Sequence, residues 1–527
     1  MRRGTRVLSI PERLAELAAE SPDRAAIIEV VAGGSYREIT HRRLFEDVSA
    51  LAELFGSWNR EMDGDAVICH PAAVSIESAK IILAALCAGV TVLPHAPLID
   101  AEVLSSALSQ AGLSSRTRCV PVPGSPETDQ GPGATVHLTR WERPTAGRRP
   151  QYLLATSGST GIPKLVPFWN FGGYDPRAVP DIVFRTCKWQ SGQKQLIVLP
   201  IYHIGTVAAL VQGVLDRNQL FLANQPDPEE LLGAIADRRI EWLMLTPNYM
   251  RHLLPAAVRR PERLDSLNGV LHTALPCPAP LKQAWLDLLG GERLFEMYGG
   301  TEGVGVTVIS GSEWMAKPGS VGRGLLTEIR IGEAPGLEPG ADGLGRIYLR
   351  RLGASARTHA ATPWLRSTSD GFVSLGDVGW VDEDGYLYVF DRAANQTATA
   401  SGFAWLGRLS LVLRTHPDIL DAECIALTDA GHVDVGMLLV TRDPQAVPDL
   451  AELETFCAAQ VGGHEFPRTY VQVDDIPRSE IGKPDATAIK AIFGSVGSRV
   501  GSRVGSRQAR TPATSPFEQE VPRGSTA

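Results

Sequence analysis

The first hundred positions alternate between two spacings of apolar residues. Residues 11–19 repeat every three to four positions, as an amphipathic helix does, and 25–30 form an apolar run of strand length. The segment SYREITHRRLFEDVSALAELF (35–55) returns to helical spacing, and Gly64 and Asp65 then turn the chain into apolar residues 66–69. A helix over 75–88 and a strand over 90–94 continue the order. Strands alternating with helices predict an α/β fold, with a parallel-rich sheet and helices packed across it. A polar, Pro/Gly-rich stretch, 124–150, reads as a bridge; beyond it, helices over 229–238 and 281–289 flank a strand over 242–246. The end of the chain breaks the pattern. Three VGSR units (496–507) precede ARTPATSPFEQEVPRGSTA, a composition too poor in apolar surface to fold, so 493–527 read as a disordered low-complexity tail. A basic tether for an acidic partner is the functional alternative for that tail.

Composition narrows the class without naming it. A chain of 527 residues is too long for one ordinary core, so two or more domains are expected. A net charge of -8 gives no general basic surface, which argues against a nucleic-acid partner. No apolar run reaches the length of a membrane span, and the N-terminus carries no signal-peptide core. The seven cysteines are scattered, odd in number and without metal-ligand spacing, which fits reduced thiols in a cytoplasmic protein.

The segment YLLATSGSTGIPK (152–164) carries the clearest chemistry. An apolar strand runs into Thr156, Ser157, Gly158, Ser159, Thr160 and Gly161, and Pro163 and Lys164 close the loop. Glycines let backbone N–H groups turn inward, hydroxyls add donors, and the lysine supplies charge, so the loop suits a polyphosphate. It is not a Walker loop, because Ile162 and Pro163 separate Gly161 from the lysine and Leu165 follows it. A Ser/Gly surface turn is the plain alternative.

Further motifs, in order, resemble the adenylate-forming superfamily of acyl-CoA synthetases, peptide-synthetase adenylation domains and luciferases. They are LPIYHIG (199–205), EMYGGTEG (296–303), SLGDVGWVDEDGYLYVFDR (374–392) and PRSEIGKPD (477–485), beside the phosphate loop itself. The resemblance reaches to about residue 492. It implies a large N-terminal region of several subdomains (1–390), a hinge (391–395) and a small mobile C-terminal α/β domain (396–492). It also implies ATP and Mg²⁺. The loop from Thr156 to Lys164 would hold the β- and γ-phosphates, Thr301 the α-phosphate and Glu302 the Mg²⁺, a hard ion suited to oxygen ligands. Tyr298 would flank the adenine, and Asp377 would accept both ribose hydroxyls with help from Arg392. Lys483 would lie between the substrate carboxylate and the α-phosphate and offset charge in the transition state. Taken alone, Tyr298 would read as core packing, Asp377 as a turn residue and Lys483 as a solvated surface charge.

The same resemblance places His203, Ile204, Ala208, Gly299 and Gly300 at the acyl pocket. His203 reads equally as a structural histidine. Ile204 stands where amino-acid-activating relatives put an aspartate, and an apolar side chain cannot neutralise an ammonium group, so an aryl or alkyl acid is expected rather than an α-amino acid. Three departures touch the second half-reaction. Ala394 replaces a charged hinge residue; NQTATASGFAWLGRLSLVL lacks the acidic segment and its spacing to Gly402 is longer by one; and Pro276, Cys277 and Pro278 stand at a glycine-rich turn. Cys277 is expected to pack rather than to react. The implied activity is acyl-AMP formation with pyrophosphate release, in the acyl-CoA ligase class, with CoA left open as acceptor. The alternatives are a biosynthetic enzyme that passes its adenylate to an amine or carrier protein, including a nitrite-activating diazotase, and a homologue that binds nucleotide without reacting.

Overall fold

The computed structural model describes residues 7–31, 35–97, 99, 101–111, 113–121, 135–141, 150–156, 163–169, 173–334, 343–353, 362, 364–399, 402–429, 432–446, 449–461, 466–467, 469–496 and 502–503. They fall into two compact units, Met1–Leu245 with Ala256–Leu271, and Thr246–Pro255 with His272–Ala527.

The first unit holds a sheet in the order Leu113–Pro121, Thr135–Trp141, Ala66–Pro71, Thr91–His95, Tyr152–Thr156, Lys164–Phe168. Its centre is parallel and its flanks antiparallel. A further run of strands places Ser35–Thr40 antiparallel to Ala25–Val31, which continues in parallel through Gln219–Ala223 and Lys194–Ile197 to Trp242–Leu245. One hydrophobic core gathers Ile27 and Leu220 from these strands, Ile68, Val92 and Tyr152 from the other sheet, and Ile82 and Val207 from two helices. The helix Ile76–Cys87 is buried at ten of its positions, which its nearly unbroken apolar sequence permits.

Three expectations change. Residues 35–40 form a strand rather than the start of a helix: Ile39 is buried opposite Ile27, and the helix His41–Glu61 begins only where Thr40 caps it, accepting from the Arg43 N–H. The bridge 124–150 contains the strand Thr135–Trp141, whose TVHLTRW sequence has β-branched residues that a count of Pro and Gly passes over. The sheets are mixed, because hairpins add antiparallel strands at their edges.

In the second unit, Leu294–Gly299 pairs antiparallel with Val306–Ser310. A separate antiparallel sheet carries Gly345–Arg351, Asp377–Val381 and Leu387–Arg392. Beyond them, Ile419–Asp429 and His432–Thr441 form a long hairpin, with Thr469–Gln472 parallel to its second strand. The helices Leu406–Leu413 and Leu450–Val461 supply Leu409, Leu413, Leu453 and Cys457 to a core of their own with Ala422, Met437 and Tyr470. The tail expectation changes at its start: Ala486–Val496 is one helix, and Ile492 and Phe493 pack against Ile425 and Val471. Ser502–Arg503 pairs with Val471–Gln472, and the other residues of 493–527 lie outside the described residues.

Candidate active site

The phosphate-loop segment is a hairpin. Tyr152–Thr156 pairs antiparallel with Lys164–Phe168, and Thr156 sits directly opposite Lys164. The chain thus leaves and re-enters the sheet at the two ends of the motif, with Lys164 at the base of the loop. Ser157, Gly158, Ser159, Thr160 and Gly161 lie outside the described residues, as does the Thr156 side chain. In the same unit, His203 occupies the position before the helix Ile204–Leu215 and makes no side-chain cap there; its ring lies 4.7 Å from that of Tyr202. Ile204, Ala208 and Gln212, four residues apart, form a half-buried stripe on a helix whose other face is buried. That stripe is apolar where it begins, at Ile204 and Ala208, and polar at Gln212.

The second unit brings the remaining motifs together. The strand Leu294–Gly299 ends in a turn closed by Gly303 N–H donating to the Gly300 carbonyl (3.0 Å), with Gly303 in the left-handed region at φ 65°. This turn presents Thr301 and Glu302. A Cβ on Gly300 would stand 2.7 Å from Glu302 Oε2 and 2.8 Å from Leu375, so a side chain there would push both side-chain ends aside. Glu302 is half-buried, and its carboxylate is of the kind that suits a hard cation. Gly299 is similarly tight, its Cβ position lying 3.0 Å from Val306.

Asp377 is 6% exposed and opens the strand Asp377–Val381, facing Arg392 across the ladder. Tyr298 Oη donates to Asp377 Oδ2 (2.6 Å) and Arg392 Nε to Oδ1 (3.2 Å). Burial raises the Tyr298 phenol well above its usual range, and the Asp377 carboxylate adds to that, so the phenol stays a donor. Each carboxylate oxygen keeps a lone pair for a further hydroxyl.

Lys483 belongs to a tight loop. Ser479 N–H donates to the Lys483 carbonyl (2.8 Å), Lys483 N–H to Ser479 Oγ (3.2 Å), and Gly482 N–H to the Ser479 carbonyl (2.7 Å). Gly482 has φ 87°, and a Cβ there would lie 2.4 Å from Asn248 Cβ. The Lys483 ammonium is held below the usual lysine range, first by burial and then by the Arg392 guanidinium, while the Glu302 carboxylate opposes both. Lys483, Arg392 and Glu302 therefore share one electrostatic neighbourhood, and Arg392 joins it to Asp377.

Motif matching overlooked a buried charged cluster beneath Tyr298. Glu296, two residues earlier on the same strand face, accepts from Lys282 of the helix Ala279–Leu289, and His272 Nε2 lies 4.0 Å from the same oxygen. Burial would raise the Glu296 carboxyl, but Lys282 and His272 outweigh it and hold it below the usual range. Among the described residues neither nitrogen of the fully buried His272 has a hydrogen-bond partner, and burial lowers its pKa to about 4. A polar residue at an inward position of an apolar strand was the available signal. Cys277 is half-buried, with its Sγ 3.8 Å from the Pro278 carbonyl oxygen, and burial pushes its thiol up.

Ala394 lies in a single 3-10 turn, Ala393–Asn395, and the altered loop that follows begins as a hairpin, Gln396–Ala398 against Phe403–Trp405. Asp391, also buried, accepts from Asn395 Nδ2 (2.7 Å) and Arg408 N–H (2.8 Å), so a carboxylate fastens the segment that lacks the charged hinge residue.

The profile of the family described as "AMP-binding enzyme" matches residues 14–355, more than half of the chain. The chain belongs to the AMP-binding enzyme family. Among related proteins, the 2-succinylbenzoate–CoA ligase of Bacillus pumilus (strain SAFR-032) is 25% identical over 350 residues, covering 64% of this chain and 68% of that protein. The fatty acid–[acyl-carrier-protein] ligase ScoC of Streptomyces coeruleorubidus is 25% identical over 339 residues, or 63% of this chain and 65% of that protein. In fold, the chain resembles the amide bond synthetase McbA from Marinactinospora thermotolerans (TM-score 0.66, 21% identity, 92% of this chain and 99% of that one). It also resembles o-succinylbenzoate CoA synthetase (MenE) from Bacillus subtilis in complex with the acyl-adenylate OSB-AMP (TM-score 0.67, 20% identity, 93% and 99%). This AMP-binding enzyme thus has relatives that are ligases named for CoA and for acyl-carrier protein. Among its described residues no helix is long and apolar enough to cross a membrane.

Proposed function

We propose that the chain uses ATP and Mg²⁺ to adenylate an aryl or alkyl carboxylic acid, releasing pyrophosphate. The observation that carries this reading is the gathering of Tyr298, Asp377, Arg392, Glu302 and Lys483. Two anions must meet for the acid oxygen to attack the α-phosphorus. Asp377 accepts the ribose hydroxyls and Arg392 steadies that end. Thr301 contacts the α-phosphate, Glu302 holds the Mg²⁺, and the loop from Thr156 to Lys164 holds the β- and γ-phosphates. Mg²⁺ would neutralise phosphate charge. Lys483, ammonium-bearing but partly desolvated, offsets the charge that develops as the new P–O bond forms and pyrophosphate leaves. The half-buried stripe that begins with Ile204 and Ala208, behind His203, takes the acid. The separate core of Ala404, Leu413, Met437 and Tyr470 supports a C-terminal domain over 396–492, joined through the hinge 391–395 to the region 1–390.

A second reading concerns the acceptor. The family default is CoA. The Asp391-fastened hinge and the loop without acidic residues favour handing the adenylate to an amine or a carrier protein, a nitrite-activating diazotase included. The test is pyrophosphate release from the purified chain with ATP and Mg²⁺ against aryl acids, alkyl acids and nitrite, each with and without CoA or an arylamine. Acid-dependent release with thioester product assigns CoA; release indifferent to CoA assigns another acceptor; no release with any acid or nitrite refutes adenylation.

A further inference from the structure

The loop that carries Lys483 is tied to one buried carboxylate. Arg478, five residues earlier, donates from Nη1 to the Gly482 carbonyl (3.1 Å) and from Nη2 to both oxygens of Asp421 (2.9 and 3.1 Å). Asp421 is 2% exposed and also faces Arg414 Nε at 3.0 Å. Burial would raise its carboxyl, and the guanidiniums of Arg414, Arg478 and Arg251 hold it down. Two arginines already contact this carboxylate, and both also reach Glu423, Arg414 at 2.6 Å and Arg478 at 3.5 Å. The third, Arg251, comes from another element, the helix Pro247–Arg259, and stands 3.5 Å from Asp421 Oδ2 and 3.9 Å from Asp475. The same helix supplies Asn248, against which Gly482 packs too closely for any Cβ, and Arg251 Nη2 also donates to Asn248 Oδ1 (3.2 Å).

From this arrangement we infer that Arg251 is a positioning residue for Lys483. Its pairing with Asp421 is the ionic tie between the helix on which the loop rests and the strand that grips the loop through Arg478. A guanidinium–carboxylate contact fixes both distance and angle, and Asp421 keeps Arg414 and Arg478 against it when Arg251 is removed. Arg251 therefore sets where the lysine sits rather than whether the chain folds. The inference takes from the proposed function only that Lys483 acts at the α-phosphate.

The test reads position without needing the acid substrate. The full-length chain, unliganded, is acetylated briefly with N-hydroxysuccinimide acetate, and each lysine is quantified by mass spectrometry. In Arg251→Ala, labelling of Lys483 should rise about fivefold, the scale of one lost, partly buried ion pair. Labelling of the exposed Lys490 and the thermal midpoint should stay put, and Arg251→Lys should restore most of the protection. Unchanged Lys483 labelling overturns the inference. So does a rise shared by Lys490 together with a lowered midpoint, which would make Arg251 a merely structural residue. Failure of every acid in the pyrophosphate assay would overturn the proposed function and leave this measurement standing.

Discussion

Asp377 and Lys483 meet around Arg392 by two different constructions. Asp377 is held by a ladder: Arg392 is its cross-strand neighbour, Tyr298 donates to it, and water is largely excluded. Shifting it means slipping strands, which would turn every side chain to the wrong face. Lys483 is held by a short loop, a glycine at positive φ and a set of ion pairs that ends in Arg251. Its position can change at the cost of a few polar contacts. The difference teaches that the residues proposed for the nucleoside end are built into the fold, whereas the lysine proposed to act on the reacting phosphate sits on a part that can be displaced.

The comparison is broken most severely by attacking the rigid side. Lys282→Ala would leave Glu296 buried and unpaired beneath Tyr298, so the chain should lose about 3–5 kcal/mol in denaturant unfolding. Replacing both partners by apolar residues should recover most of it. The displaceable side should fail differently. Lys483→Ala should slow pyrophosphate exchange by about 10²–10³-fold, the scale of removing one transition-state donor, while ATP titration shows near-normal affinity. A loss of ATP affinity with unchanged turnover would put the lysine at the ground state instead.

Asp377→Asn sharpens the contrast, since it removes a charged acceptor from ribose without touching the lysine. ATP affinity should drop by about 1.5–3 kcal/mol in equilibrium binding, with exchange at saturating ATP much less affected. The smallest effect is a pH slope. His272 has its pKa lowered to about 4 from 6.5 by burial, so the unfolded chain takes up its proton first as pH falls. The stability this neutral imidazole contributes is complete above pH 6.5 and is lost toward pH 4, at about 1.4 kcal/mol per pH unit. His272→Leu should flatten that part of the stability curve measured by denaturant titration.

The sequence alone determined the family, the class of chemistry and the local elements on which the motifs sit. It could do so because these depend on neighbours in the chain: the glycines and hydroxyls of 156–161, the PRSEIGK run, and helical spacing such as that of 229–238. It missed the strands at 35–40 and 135–141, whose partners Ala25–Val31 and Ala66–Pro71 settle their state more than their own composition does. Only the tertiary structure decided which charges neutralise which. Lys282 and Glu296 are 14 residues apart and Arg478 and Asp421 are 57 apart, and neither pair has a spacing that marks it. A buried ion pair is set by where two backbones come together and by the water they exclude, and linear order does not record that geometry.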